Sequence, residues 1–493
     1  MPTTSTSRRA FVQGTTAAAA LASLPRIGFG QAQPTVIRLE WHDFVKTPQY
    51  PLFLTAIQTM KRFTNPSDNR SWQYWANIHA NYCPHGKAYF LPWHRGYISA
   101  FETQLRSSLG TTVPPIALPY WDYYTYPTIP AEFTNSATGN PLYTPRVNTS
   151  AWPALSMNPF ATGVTNFQFG LNNAFETSLE SAPHDPVHDV IGGYLADIAT
   201  AALDPLFYLH HCNLDRLWNA WSRRLTSRVP GATSTYWSGK FTYATNLTMN
   251  RSLTRTVAGL YYDYANNNMP TRLPPQAQQG RIIRVQAQNT PIHGRPKLRT
   301  FAMSPGRSVS ANRKSLGGVL HVPLDNSSIS AGIALQAASV NSLRDTLATS
   351  PAADLANSAV GAANPQALAQ PPASAKSSFQ YVKLVLDGLS ASAEGQKGGY
   401  FYNIYVGLPA AGDVDDVSSA HFVGTIGAFE VSVAEHHAGG KKEFDITYLL
   451  ASLGLTDLSQ TVVTFVRING SSFAQGNVVS IAEMRVELGT DAP

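Results

Sequence analysis

The sequence predicts a mainly α-helical first part with long loops, followed by a C-terminal β-sandwich-like domain. Three observations carry this. Between about 34 and 264 the strongest apolar periodicities are helical, in a stretch rich in Trp, Tyr, Phe and His. After about 379 the period shifts to short β-branched and aromatic runs separated by Gly, Asn and Asp. Between them, 327–378 is dominated by Ala, Ser, Pro and Gln, the composition of a linker with little packed core. At 493 residues the chain is also too long for one small domain.

The elements follow in order. Ser7-Arg8-Arg9-Ala10-Phe11 is a twin-arginine pattern, followed by a weakly apolar stretch and the small-residue site Gly30-Gln31-Ala32. Residues 1–32 therefore read as a signal for export to the periplasm or beyond, leaving a chain with no membrane span. The net charge is +6, of which Arg8, Arg9 and Arg26 account for three, and no Lys/Arg run remains to mark a nucleic-acid surface. An exported chain with only Cys83 and Cys212 has no disulfide framework. Residues 33–326 form the first domain and an extension, with a Pro/Asn/Thr-rich loop over 123–175. After the linker, strands are expected at 379–386, 400–406, 461–468 and 478–488, making 379–493 the β-rich domain. In the last, Ala482, Met484, Val486 and Leu488 alternate with Glu483, Arg485 and Glu487, the pattern of a half-buried strand.

Seven of the thirteen histidines fall in two clusters: His79, His85, His94, and His184, His188, His210, His211. His184 and His188 are four apart, so on a helix both rings leave one face. Asp204-Pro205 opens another helix, with Asp as the cap and Pro at the first position. Along it Phe207, His211, Asp215 and Trp218 form one stripe, and His210 points about 100° away. His211 is therefore the third ligand and His210 lies behind it. A lone His-x-x-x-His arises often on helix surfaces, but two sets of three imidazoles do not. Zinc sites of three histidines usually come singly, whereas paired all-imidazole sites suit copper.

These residues resemble the type-3 copper proteins: tyrosinases, polyphenol and catechol oxidases, and haemocyanins. The matching text is His79-Ala80-Asn81-Tyr82-Cys83-Pro84-His85, Phe90-Leu91-Pro92-Trp93-His94-Arg95, His184-Asp185-Pro186-Val187-His188, and the run from Asp204 to Arg216. The resemblance is to a bacterial exported form with a plant-like C-terminal domain. Tyr262-Asp263-Tyr264 looks like the Tyr-x-Tyr that closes the plant catalytic domain, while the plant disulfides are absent.

The resemblance implies a four-helix bundle around a dicopper centre, with His79, His85 and His94 on one copper ion and His184, His188 and His211 on the other. It implies oxidation of small phenols by molecular oxygen to o-quinones, by a tyrosinase or catechol oxidase. Glu180 stands where plant relatives place a glutamate that holds a water, and Asp185 where many monophenol hydroxylases have Asn. Cys83 matches the Cys-x-His that carries a thioether in fungal enzymes, here to His85. Ile198 matches a gate position over the second copper. The C-terminal domain is expected to cover the entrance, with aromatic plug candidates in 398–402, and a cut within 327–378 to activate the enzyme. An oxygen carrier, an o-aminophenol oxidase, zinc in the sites and an oligomer stay open at this stage.

Overall fold

Helix boundaries follow the punctuation of the sequence. Asp204 caps the helix Pro205–Ser222 by accepting the Leu206 N–H at 2.8 Å, and Pro205 takes the first position. Ser71 caps Trp72–Tyr82 in the same way through Gln73 N–H. In chain order the helices that matter are α1 (Gln49–Arg62), α2 (Trp72–Tyr82), α3 (Phe90–Ser107), α4 (Asp185–Ile191) and α5 (Pro205–Ser222). This computed structural model describes residues 36–110, 115–275, 295–350, 352–353, 378–410, 420–455 and 457–491. The export signal read at 1–32 lies outside them. Among the described residues no helix is long and apolar enough to cross a membrane.

A buried polar knot closes the helical part. Strand β1 (Val36–Arg38) pairs in parallel with β2 (Tyr262–Tyr264). Asp215 on α5 accepts Arg95 Nε from α3 at 2.5 Å and both the Tyr262 and Tyr264 hydroxyls at 2.5 Å. The Tyr-x-Tyr thus ties the end of the domain to the two longest helices. All these side chains are buried, so removing one partner strands a charge and costs about 3–5 kcal/mol.

The C-terminal domain is a pair of five-stranded sheets, as expected, but it begins earlier than the composition suggested. Its strands are β3 (Leu298–Arg299), β4 (Ala302–Ser310), β5 (Arg313–Leu324), β6 (Ile329–Ala334), β7 (Tyr381–Ala391), β8 (Tyr400–Val406), β9 (Phe422–Gly427), β10 (Lys442–Asp445), β11 (Gln460–Asn469) and β12 (Val479–Gly489). One sheet runs β9-β8-β11-β6-β3, the other β10-β7-β12-β5-β4. The linker expected over 327–378 therefore contains a sheet strand, β6, and a helix, α6 (Ala337–Thr349), that packs on the second sheet. Residues 354–377 of it lie outside the description. Small residues misled the composition argument: Ser330 and Ala331 are fully buried in β6, which pairs with β11 in one sheet, and the Ser330 hydroxyl meets the Thr464 hydroxyl at 2.9 Å.

The strand at 478–488 is present as β12, but its charged face is not solvated. β12 is central, so Glu483, Arg485 and Glu487 are buried under a network. Arg485 reaches Asp387, Glu483 and Glu487, while Arg307 holds Glu483 and Arg313 holds Glu443 and Glu487. The described residues from Val36 on form one unit. One core cluster takes Phe401, Tyr405, Phe429 and Val433 together with the helices, and a second lies inside the sandwich.

Candidate metal centre

Each histidine is placed by a local reason. His79 sits in the last turn of α2 and His85 in the loop behind it; His94 is one turn into α3. α4 carries His184 at its N-terminal boundary and His188 in its last turn. α5 carries His210 and His211 in its middle. The ligand atoms of His79, His85 and His94 lie within 4.8 Å of one another, as do those of His184, His188, His210 and His211. Phe90 and Phe207 fill the space between the rings; Phe90 lies 4.7 Å from His94 and 4.6 Å from His184.

Three rings are aimed through Nδ1. His94 Nδ1 meets the Phe90 carbonyl at 2.8 Å, His188 Nδ1 meets the Leu195 carbonyl at 2.8 Å, and His184 Nδ1 meets Asp185 Oδ1 at 2.7 Å. Such contacts fix the tautomer and turn Nε2 inward. Nε2 of all seven histidines is buried without a hydrogen-bond partner. Burial holds these imidazoles neutral: His94 is lowered to about 3 and His188 to about 4, and the other five are pushed well below the ordinary value. Buried polar atoms left unpaired are costly, so seven converging neutral donors fit metal ions and fit little else.

His210 does not lie apart as the helical stripe suggested. It belongs to the second group, stacked 5.5 Å from His184, because that ring lies between the two directions in which His210 and His211 leave α5. The two still differ. His211 stacks on His94 at 4.4 Å and faces His79 at 6.0 Å, so it stands between the groups. His210 faces Tyr123 at 5.7 Å on the far side.

Cys83 Sγ lies 2.9 Å from His85 Nδ1, so the pair is in contact, and Cys212 is buried in α5. Glu180 Oε1 accepts the Gly86 N–H at 2.6 Å, and burial raises its carboxyl to about 7. Glu176, one turn earlier, accepts Leu91 N–H at 2.9 Å and is raised by burial to about 8. Asp185 is committed to His184 rather than open to solvent. Ile198 is buried in the shared core, its N–H donating to Ser432 Oγ at 3.0 Å.

Among the described rings, those of 400–402, the expected plug candidates, make no contact with the histidines. Tyr400, Phe401 and Tyr402 are buried along β8, with Tyr400 and Tyr402 inside the sandwich and Arg467 stacked on them. The ring at the histidines is Phe429, in the first turn of α7 (Ala428–Ala438). It stacks on His188 at 4.1 Å and 12°, and lies 5.2 Å from His85 and 5.7 Å from His184. Sequence reasoning missed it because Gly427-Ala428-Phe429-Glu430 reads only as a helix start. Glu430 does cap that helix, accepting Gly427 N–H at 2.8 Å, and it also faces Asp185 and Asp189 with Lys442 nearby.

Residues 69–166 and 156–224 match the model of the common central domain of tyrosinase. Over that segment the chain is similar to the tyrosinase family. The match spans every histidine of the two groups, and the family's two-copper chemistry fits them. Tyrosinase HcTyr1 of Hahella sp. is 35% identical over 175 residues, covering 29% of this chain and 38% of the relative. Polyphenol oxidase A1 of Vicia faba is 28% identical over 255 residues, covering 39% and 40%. The chain thus spans about two-fifths of the length of these first curated relatives. A structure of latent apple tyrosinase has the same fold over 93% of this chain and 98% of its own, at TM-score 0.52 and 18% identity. That likeness of fold includes the C-terminal sandwich.

Proposed function

We propose that this protein is an exported copper oxidase that uses molecular oxygen to turn phenols into o-quinones, and that its C-terminal domain keeps it latent. The observation that carries this reading is the double set of inward, unpaired Nε2 atoms with an aromatic ring already stacked on one of them. His79, His85 and His94 would hold one copper ion and His184, His188 and His211 the other. The copper pair, when bound, supplies oxygen activation and takes electrons from the phenol.

The chain's own residues then do four things. The neutral imidazoles give the ions soft, uncharged donors. Asp185 holds the His184 ring through Nδ1. A phenol has a pKa near 10, so its proton needs an acceptor at neutral pH. Glu180 is the buried carboxyl tied to the loop behind His85, and it is the group we assign to hold that proton. The flat face of His188 is where a substrate ring would stack, and Phe429 occupies it. We assign Ile198, buried in the shared core, to the gate position over the second copper; being smaller than an aromatic gate, it would leave room for the ring. The contact between Cys83 and His85 supports a thioether there, which peptide mass spectrometry of copper-loaded protein would reveal as a loss of two hydrogens.

The test is oxygen uptake by copper-loaded protein with a monophenol and a catechol side by side. Uptake that consumes the catechol and yields a quinone supports the oxidase. Reversible oxygen binding with no product would support a carrier instead.

A further inference from the structure

α4 carries two of the six proposed ligands but has little to hold it by itself. It is seven residues long, with no side-chain cap at its N-terminus. Ala182 is extended just before it, and Gly192 ends it with φ 69°. Helices this short are not stable alone, so the position of α4 comes from its partners.

Those partners lead to the C-terminal domain. The Asp189 carbonyl accepts Gly399 N–H at 2.7 Å, and Asp189 Oδ1 accepts Phe429 N–H at 2.8 Å. The Val190 carbonyl accepts Asn148 Nδ2 at 2.8 Å, and the Ile191 carbonyl accepts the Val147 and Asn148 N–H groups at 2.9 and 3.1 Å. Asn148 is itself gripped: its side-chain oxygen accepts Ser472 N–H and the Ser471 hydroxyl, both at 2.8 Å. Beyond α4, Ser432 accepts Ile198 N–H at 3.0 Å and donates to Asp197 at 2.7 Å. Gly399, Phe429, Ser432, Ser471 and Ser472 all belong to the C-terminal domain. The grip falls on α4 and the segments flanking it.

We propose that the C-terminal domain is part of the scaffold of the second histidine group, because its hold on Asp189, Asn148 and the 197–198 segment keeps His184 and His188 converged on His211. This is a separate task from the cover formed by the Phe429 ring, and it rests on the two-copper reading above. Asp189 and Asn148 are positioning residues in this scheme. The two tasks can be separated because the ring of Phe429 covers while its backbone N–H holds.

Two glycines supply the means. A Cβ on Gly427 would run into the Asp189 carboxylate, and one on Gly470 into the Asn148 side chain. Neither has a left-handed backbone, so Gly427→Ala and Gly470→Ala wedge the contact open without backbone strain. The experiment uses the full-length chain loaded with copper and challenged with a cuprous chelator. It follows metal loss and amide hydrogen exchange over 184–191. Each wedge is expected to speed the loss of one of the two ions roughly 10–100-fold, the usual loss when a ligand's supporting partner is removed. Exchange over 184–191 should rise as well, while Phe429→Ala, which keeps the backbone N–H bond to Asp189, leaves that exchange at the wild-type level. If a wedge fails to fold, the double change Ser432→Ala with Ser471→Ala removes only hydroxyl bonds and is read the same way. Unchanged copper loss and unchanged exchange in folded variants overturn the proposal. A wild-type chain that never holds two coppers would instead refute the two-copper reading, and the exchange arm would still decide the scaffold.

Discussion

The two histidine groups are built from different materials. The first hangs on α2 and α3, helices of 11 and 18 residues inside one domain, and its loop is pinned by Glu176 and Glu180. The second hangs on a seven-residue helix and the middle of α5, and the short helix is gripped from another domain. The first group is thus held from within its own domain, whereas the second is completed by residues more than 200 positions away in the other. A site assembled this way can be opened or loosened from one side only.

The largest effect should come from the ligands themselves. His211→Ala is expected to remove one copper per chain and nearly all oxidase activity, since His211 stands between the groups. His210→Ala should keep two coppers and lose less activity. Metal analysis of both variants breaks the distinction if they behave alike.

Next in size is the release of the cover. Sheet order interleaves strands from both sides of 354–377, so a nick there should leave the domain in place and the activity unchanged. A protease site engineered within 276–294, before β3, should let the whole domain leave and raise catechol oxidation several-fold. Equal activation at both places would contradict the topology argument and restore the expectation that a cut within 327–378 suffices.

Smaller is the support of the first group. Glu176→Ala strands the buried Leu91 N–H, a loss of about 1–3 kcal/mol, and should lower the melting temperature without exposing 184–191 to exchange. The two regions should also differ in pH response. Glu176 is raised by burial from 4.5 to about 8, so its share of stability is complete below the ordinary value and is lost as pH rises towards 8. Glu483, hydrogen-bonded by Arg307, is lowered from 4.5 to about 2. Burial raises Glu443, but the Arg313 hydrogen bonds outweigh it and bring that carboxyl to about 2 as well. Their contribution to the sandwich is complete above the ordinary value and fades as pH falls from 4.5 towards 2. Melting curves should show Glu176→Gln flattening the alkaline limb and Arg307→Ala flattening the acid limb.

Much of this was legible in the chain. The spacing of His79, His85, His94, His184, His188 and His211, the Asp204-Pro205 helix start and strands β8, β11 and β12 are all local patterns, and each appears where the pattern put it. What was not legible depends on long-range pairing. β6 hides in a Ser/Ala-rich stretch because it becomes a strand through pairing with β11, which is distant in sequence. Phe429, rather than the aromatics of 398–402, reaches the histidines because α7 is aimed by Asp189 and Ser432, contacts with no sequence spacing to betray them. His210 joins the second group because the His184 ring meets it from another helix.

The most direct measurement is steady-state oxygen uptake with catechol by copper-loaded wild-type protein and Phe429→Ala, each assayed for copper content. The account predicts two coppers in both, quinone formation by both, and a several-fold higher kcat/KM in the variant as the face of His188 is freed. Equal kcat/KM at equal copper content would contradict the cover, and copper-loaded protein that takes up no oxygen with any phenol would contradict the oxidase itself.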